Sequence, residues 1–291
     1  MWTLIQLELY KIFRKPRTYI AFAAITALVT LFQIGFYVDG ENYLGFALQS
    51  LTTSFTVEGK VLNGYFMCYV ILQLLLVHVP LLIALVAGDM VSGEANMGTL
   101  RLMLTKPISR EGFLMSKFIA AAVYTFLLLV WMAILALGVS LIIFGANDLI
   151  VLKSEVVTFI VKNDVLWRYG LTFAFATLAM LTVTALAFLL SVFAENSIGP
   201  IVTAISIIIL LTILNTLDLP IFNSIKPYLF TTHMIGWKGF FDVQVNQQRE
   251  AIVGSVENMP AVMTSAGVLL LHIAVFLGVT TVVFRKKDIL S

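Results

Sequence analysis

Charged residues are scarce in this sequence. They make up 12% of its 291 residues, whereas soluble domains carry roughly 25%. Hydrophobic residues make up 60%, more than a soluble core of this length can absorb, although a lipid bilayer can accommodate it. The net charge of +2 also falls short of the strongly basic balance of nucleic-acid-binding proteins. The composition therefore indicates a membrane protein.

Cysteine, histidine and the common catalytic motifs are also nearly absent. The single cysteine, Cys68, excludes a disulfide framework within the chain, and three scattered histidines make a poor ligand set for structural zinc. The phosphate-binding pattern GxxxxGKS/T does not occur, and neither GxSxG nor HExxH, as an intramembrane enzyme would need, is found. We therefore expect the chain to hold no catalytic, metal or cofactor site of its own.

Long apolar runs dominate instead. Six of them are long enough to cross a hydrocarbon core of ~30 Å, and helices are the default because lipid does not tolerate an open strand edge. The runs cover residues 18–38, 62–87, 118–144, 169–193, 198–217 and 262–284. The first run is longer than the roughly 7–15 residues of a signal-peptide core, so we expect it to remain as a span. The sequence thus predicts an all-α membrane protein in which residues 1–291 form one transmembrane domain.

The distribution of lysine and arginine predicts the orientation. If the N-terminus lies inside, the inner segments carry 11 basic and 6 acidic residues, and the outer segments carry 7 and 10. Basic residues favour the cytoplasmic side. We therefore expect both termini in the cytoplasm and the chain in the inner (cytoplasmic) membrane.

Two segments outside the spans have patterns of their own. Residues 1–17 place apolar side chains at helical spacing, and Pro16 can separate this stretch from the first span, which predicts an elbow helix lying in the membrane interface. The alternative is a helical extension of the first span. Residues 218–261, on the outer side, either dip into the membrane as short helices or pack on the bundle as a loop.

Two histidines are predicted to lie at membrane depth: His78 in the second span and His272 in the sixth. Ionisable residues in such places are functional candidates by default, for substrate contact or for proton transfer. The alternative for each is a neutral imidazole bonded to a backbone carbonyl.

Residues 88–117, between the second and third spans, are the most informative segment. Gly88, Gly93 and Gly98 lie five residues apart, and Pro107 follows them. Between these breaks lies a short, partly apolar stretch that Thr99 can cap as a helix. A small helix of this kind suits a groove on a partner protein.

The runs GDMVSGE at 88–94, GTLR at 98–101 and KPISR at 106–110 resemble the loop after the second span of ABC-2-type ABC transporter permeases, and FRKKDI at 284–289 is similar to that family's C-terminus. The resemblance implies that two permease chains, identical or related, dock on two cytoplasmic ABC ATPase subunits, which bind ATP and magnesium. The loop would then act as a coupling helix, and the residues that would form or position the ATPase contact are Glu94, Gly98, Thr99, Arg101, Pro107 and Arg110. Glu195, in the 194–197 turn, would be a second contact or would only cap the next helix.

The expected function is therefore that of the permease subunit of an ATP-driven transporter, an exporter by resemblance, with no ATPase activity in this chain. One alternative is an ABC-type membrane module that does mechanical or scaffold work. Another is a secondary transporter, which predicts charged residues within the spans and repeated halves; the sequence shows neither.

Overall fold

The computed structural model describes residues 1–52, 61–105, 107–152, 157–217, 219–246 and 251–287. Within these ranges the helices are α1 (Trp2–Arg14), α2 (Pro16–Thr52), α3 (Gly64–Ala87), α4 (Ser92–Asn96), α5 (Thr99–Leu104), α6 (Arg110–Ala133), α7 (Ser140–Phe144), α8 (Leu166–Phe193), α9 (Ile198–Thr216), α10 (Pro220–Asn223), α11 (Phe230–Met234) and α12 (Met259–Lys286). Two strands, β1 (Leu149–Leu152) and β2 (Val157–Ile160), lie between α7 and α8.

Six of the helical stretches are long and apolar enough to cross a membrane. They are α2, α3, α6 continued by α7, α8, α9 and α12, which confirms the prediction of a six-span helical membrane protein. Two boundaries differ from the sequence estimate. The first candidate span runs from Pro16 to Leu44, and its helix continues to Thr52 after a kink at Asp39, where φ is −137°. The third span begins at Arg110, because Ser109 caps a polar first turn by accepting a hydrogen bond from the Gly112 amide.

The third span contains a π-helical turn at Ile134–Val139, which joins α6 to α7. Gln33 of α2 donates to the Leu135 carbonyl and to Ser140 Oγ, at 2.9 Å each. A π turn disturbs the regular hydrogen-bond ladder of a helix, and in lipid each freed group must find a partner within the protein. The buried amide of Gln33 supplies that partner.

The N-terminal helix is separate from the first span, because α1 ends at Arg14 and Lys15 has an extended backbone. Its apolar stripe does not face outward as a purely interfacial helix would require. Ile5 and Ile12 are buried against the bundle, whereas Trp2 and Tyr10 are exposed. α1 packs mainly along α6.

The segments 149–160 and 219–241 contain structure that hydropathy did not indicate. β1 and β2 form an antiparallel hairpin that pairs Leu149 with Ile160. Residues 219–241 form short helices that pack on the bundle, so the structure combines features of both alternatives. Trp237 and Phe241 lie with their ring centres 5.6 and 5.2 Å from that of Tyr69 in α3. Aromatic contacts of this kind hold the segment against α3 and α8.

Candidate functional site

The loop between α3 and α6 lies at the end of the bundle where both termini are found, called here the termini end. Arg110, at the start of α6, donates to the carbonyls of Arg285 and Lys287 at 3.1 Å, just beyond the last span. Lys287 in turn donates to the Val192 carbonyl at the end of α8, at 2.8 Å. These contacts bring the loop and the C-terminus to one end of the molecule.

Four charged side chains meet at the base of this loop, and we call them the charge cluster: Glu8, Lys11, Glu94 and Lys117. The Lys11 ammonium lies 2.7 Å from Glu8 Oε1 and 2.7 Å from Glu94 Oε1. The Lys117 ammonium lies 2.8 Å from Glu8 Oε2 and 2.8 Å from Glu94 Oε1. The cluster therefore connects α1, α4 and α6 through alternating charges.

The charge cluster is largely withdrawn from solvent. Lys117 is 1% exposed and Glu94 is 6% exposed, and buried charges are retained only when they are paired. Burial by itself lowers the pKa of Lys11, but hydrogen bonds and charge attraction from Glu8 and Glu94 outweigh it and raise the pKa above its usual value. Two carboxylates balance two ammonium groups, so the cluster is neutral as a whole.

Asp89 forms a second anchor for the same loop. Its Oδ2 accepts from Lys15 and Arg17, at the start of the first span, at 2.7 Å each, and its Oδ1 accepts from Ser197 before α9. Gly93 packs against this carboxylate so closely that a Cβ there would lie 2.7 Å from the carboxyl carbon. A side chain at position 93 would therefore displace the Asp89 carboxylate from its partners.

Ser191 of α8 completes the attachment, because its Oγ accepts from the backbone amides of Val91 and Ser92 at 3.0 and 2.9 Å. Through Ser191, Asp89 and the charge cluster, the short helix α4 is bonded to α1, α6, α8 and the starts of α2 and α9. Such an arrangement can pass a displacement of the loop to most of the bundle.

The tip of the loop, in contrast, projects from the protein. Met97 and Leu102 are 59% and 65% exposed, while Leu100 between them is 3% exposed and holds α5 on the core. Gly98, at φ +70°, makes the turn from α4 to α5. Two exposed apolar side chains, one in the turn before a short anchored helix and one on that helix, form a suitable docking surface for a protein groove.

The predicted contact residues divide into two groups. Gly98, Thr99 and Pro107 are exposed at or near the tip, and so is Arg101. Glu94 is instead buried in the charge cluster, with its carboxylate directed to Lys11 and Lys117. A buried carboxylate paired in this way holds the base of the loop against α1 and α6.

The hydrogen bonds correct the predicted capping role of Thr99, whereas the partner contacts expected of Arg110 and Glu195 stay predictions. Thr99 does not cap α5, since its hydroxyl donates to the Glu94 carbonyl at 3.3 Å and Gly98 occupies the cap position. Arg110 binds carbonyls at the end of α12. Glu195 is exposed, and the neighbouring Asn196 accepts from the Gly199 amide at the start of α9.

Both membrane-depth histidines bond to their own helices. Nδ1 of His78 lies 2.7 Å from the Leu74 carbonyl, and Nδ1 of His272 lies 2.8 Å from the Val268 carbonyl. His272 also packs between the rings of Phe230 and Phe276. These contacts correspond to the backbone-bonded alternative.

Sequence reasoning missed the charge cluster as a unit. The helical spacing of residues 1–17 indicates Glu8 and Lys11 only as polar positions of an amphipathic helix, and Lys117 only as the last charge of the loop at 88–117. The sequence contains one indication of the charge cluster. Lys117 is followed directly by a long apolar run, and a lysine at the edge of such a run needs a counterion. The identity of the counterion depends on tertiary packing between segments about a hundred residues apart.

Comparison with known proteins places this arrangement in context. The family described as "Protein of unknown function (DUF2705)" matches residues 26–290 of the chain. The Uncharacterized protein YhcI of Bacillus subtilis (strain 168) is 29% identical over 119 residues, which are 39% of this chain and 37% of that protein. The matched region thus spans well under half the length of this curated relative.

Proposed function

The chain belongs to the DUF2705 family, and from the resemblance of its loop after the second span we propose that it is the membrane-spanning permease subunit of an ATP-driven ABC transporter of the ABC-2 type. In this proposal two permease chains, identical or related, pair in the cytoplasmic membrane. Two separate ABC ATPase subunits bind ATP and magnesium and dock at the termini end. The direction of transport is export, by the same resemblance.

The observation that carries the proposal is the construction of the loop after the second span. Its tip exposes Met97 and Leu102, and its base is fixed by buried ion pairs. A loop with only a solvated connecting role needs neither feature. An anchored base with a protruding apolar tip is what a coupling element requires.

The contacts suggest how the coupling operates. A partner that moves the tip also moves α4, because the two short helices are joined by the turn at Met97 and Gly98 and by the hydrogen bond from Thr99 to the Glu94 carbonyl. Displacement of α4 carries Glu94, and the buried pairs with Lys11 and Lys117 resist separation because an isolated charge there is costly. The movement therefore reaches α1 and α6, while Asp89 and Ser191 convey it to the first, fourth and fifth spans.

The test is a pair of substitutions at the tip, Met97→Asp and Leu102→Asp. A charge at the centre of an apolar interface should cost about 2 kcal/mol or more, which is roughly thirtyfold in affinity. We expect both variants to be expressed in the membrane but to lose co-purification with a co-expressed ABC ATPase and stimulation of its ATP hydrolysis.

The matched control is Ile221→Asp, which replaces a 75% exposed isoleucine at the opposite end of the bundle. This variant should retain both the ATPase and its stimulation. If the tip variants retain them as well, the coupling role of α4 and α5 is wrong. Hydrolysis of ATP by the purified chain alone would contradict the proposed division of labour between the subunits.

A further inference from the structure

Lys238 is a partly buried cation that has no acidic partner among the described residues. The two fully buried cations in the same ranges are neutralised, because Arg168 pairs with Asp164 at 2.6 Å and Lys117 belongs to the charge cluster. The Lys238 ammonium donates instead to the neutral side-chain oxygen of Gln73 in α3, at 3.2 Å. Its positive charge is therefore not compensated within the described part of the chain.

Gln73 lies in the interior of the second span. It is the tenth of the 24 residues of α3, so at 1.5 Å per residue it lies about 14 Å from Gly64 and about 21 Å from Ala87. Gly64 is level with the end of the third span, since its amide donates to the Gly145 carbonyl at 2.8 Å. The hydrogen bond to Gln73 therefore places the Lys238 ammonium at membrane depth, below the ends of the neighbouring spans.

The packing of the 3₁₀ helix Ile235–Phe241 holds Lys238 at this depth. This helix packs against α8 and α12, and a Cβ on Gly236 would lie 2.8 Å from the ring of Phe175 in α8. The adjacent Trp237 is buried, and its ring centre lies 5.9 Å from the Lys238 ammonium. Close packing of this kind fixes the position of the lysine side chain beside α3.

The surface of α3 around Gln73 is open and mixed in character. Gln73 and His78 are exposed polar side chains, and Leu74 and Val77 are exposed apolar ones. Ionisable groups at membrane depth are costly in contact with hydrocarbon, and in membrane proteins they face a cavity or a substrate path. A surface with an uncompensated ammonium beside apolar side chains therefore suits an anionic group attached to an apolar body.

We propose that Lys238 and Gln73 bind the anionic group of an amphiphilic organic substrate, whose apolar part lies along Leu74 and Val77. The ammonium supplies the charge pairing, and the amide nitrogen of Gln73 can donate a second hydrogen bond to the same carboxylate or sulfonate. The role of this molecule as transported cargo rests on the proposed function, whereas its binding does not.

The experiment measures laurate binding to the purified full-length chain by native mass spectrometry. The comparison ligands are dodecanol, which has the same chain and no charge, and acetate, which has the charge and no long chain. We expect laurate to bind more tightly than either. Lys238→Gln should weaken laurate binding about tenfold because a charge-assisted contact is lost, Gln73→Leu should weaken it in the same direction, and Lys238→Arg should retain it.

Lys226→Gln is the matched control, because it removes a cation from the same segment. This variant should bind laurate as the unaltered chain does. Unchanged laurate binding in Lys238→Gln would overturn the proposal. Dodecanol that binds as tightly as laurate would overturn it too, since the charge would then be irrelevant, and so would acetate that binds as tightly, since the apolar surface would then contribute nothing.

The role as cargo is tested separately, on the chain co-expressed with the ABC ATPase. Laurate should change the rate of ATP hydrolysis by the complex, and Lys238→Gln should remove that change; a complex that does not respond to laurate would contradict the cargo role. Laurate binding by a chain whose tip variants still hold the ATPase would contradict the proposed function and not this site. Loss of the ATPase from the tip variants of a chain that does not bind laurate would contradict this site and not the proposed function.

Discussion

Glu94 shows at the scale of a single residue how the termini end is held together. Its carboxylate lies between two ammonium groups, so Glu94→Lys would place three cations around Glu8. Breaking a buried pair in this way costs ~3–5 kcal/mol. We expect a clear fall in the melting temperature of the detergent-purified protein and faster proteolysis of the loop.

Glu111→Lys is the control for this substitution, because Glu111 pairs with Arg285 at the surface, where both side chains are about half exposed. Exposed ion pairs contribute ~0–1 kcal/mol, so this variant should melt close to the unaltered protein. Equal melting temperatures for the Glu94 and Glu111 variants would contradict the anchoring role of the charge cluster.

At the scale of elements, the packing of α3 against α7 depends on one glycine. A Cβ on Gly64 would lie 2.6 Å from Leu141 Cα and 2.7 Å from its amide nitrogen. Backbone atoms cannot move aside as a flexible side chain can, so Gly64→Ala should destabilise the protein by ~1–3 kcal/mol, as overpacking does.

Gly267→Ala provides the comparison, since no atom lies within 4 Å of a Cβ at this position in α12. Replacing a glycine within a helix by alanine should be neutral or stabilising by roughly 0.5–1 kcal/mol. Thermal melts of the two variants measure the difference. A Gly64→Ala variant as stable as the Gly267→Ala variant would show that α3 and α7 do not approach so closely.

At the scale of the whole molecule, the prediction concerns the orientation of the protein in the membrane. Asn96 is exposed at the termini end, and Val245 is exposed at the opposite end. We expect single cysteines at these positions, in a Cys68→Ala background, to react with a membrane-impermeant maleimide from opposite sides, position 96 from the cytoplasm and position 245 from outside. The background should not react. Labelling of both positions from the same side would contradict the six-span topology.

Most of the fold could be predicted from hydropathy, because the free energy of transferring an apolar run into lipid depends mainly on the residues of that run. All six spans could be located in this way, and the break at Pro16 was correctly placed after a separate N-terminal helix. Hydropathy could not predict three other features, because each depends on partners elsewhere in the chain: the kink at Asp39, the π turn and the pairing of β1 with β2. Gln33 is one such partner, and nothing around it in the sequence indicates the Leu135 carbonyl.

The sequence by itself determined that this is a six-span helical membrane protein with a distinctive loop after the second span, because apolar length and local motifs suffice for that. Tertiary structure decided the role of each charge in the loop. Glu94, predicted to face a partner, is turned inward because Lys11 and Lys117 converge on it, and burying Glu94 and Lys117 is favourable only if they meet each other and Glu8. Met97 and Leu102 remain outside because Leu100 occupies the space against the core.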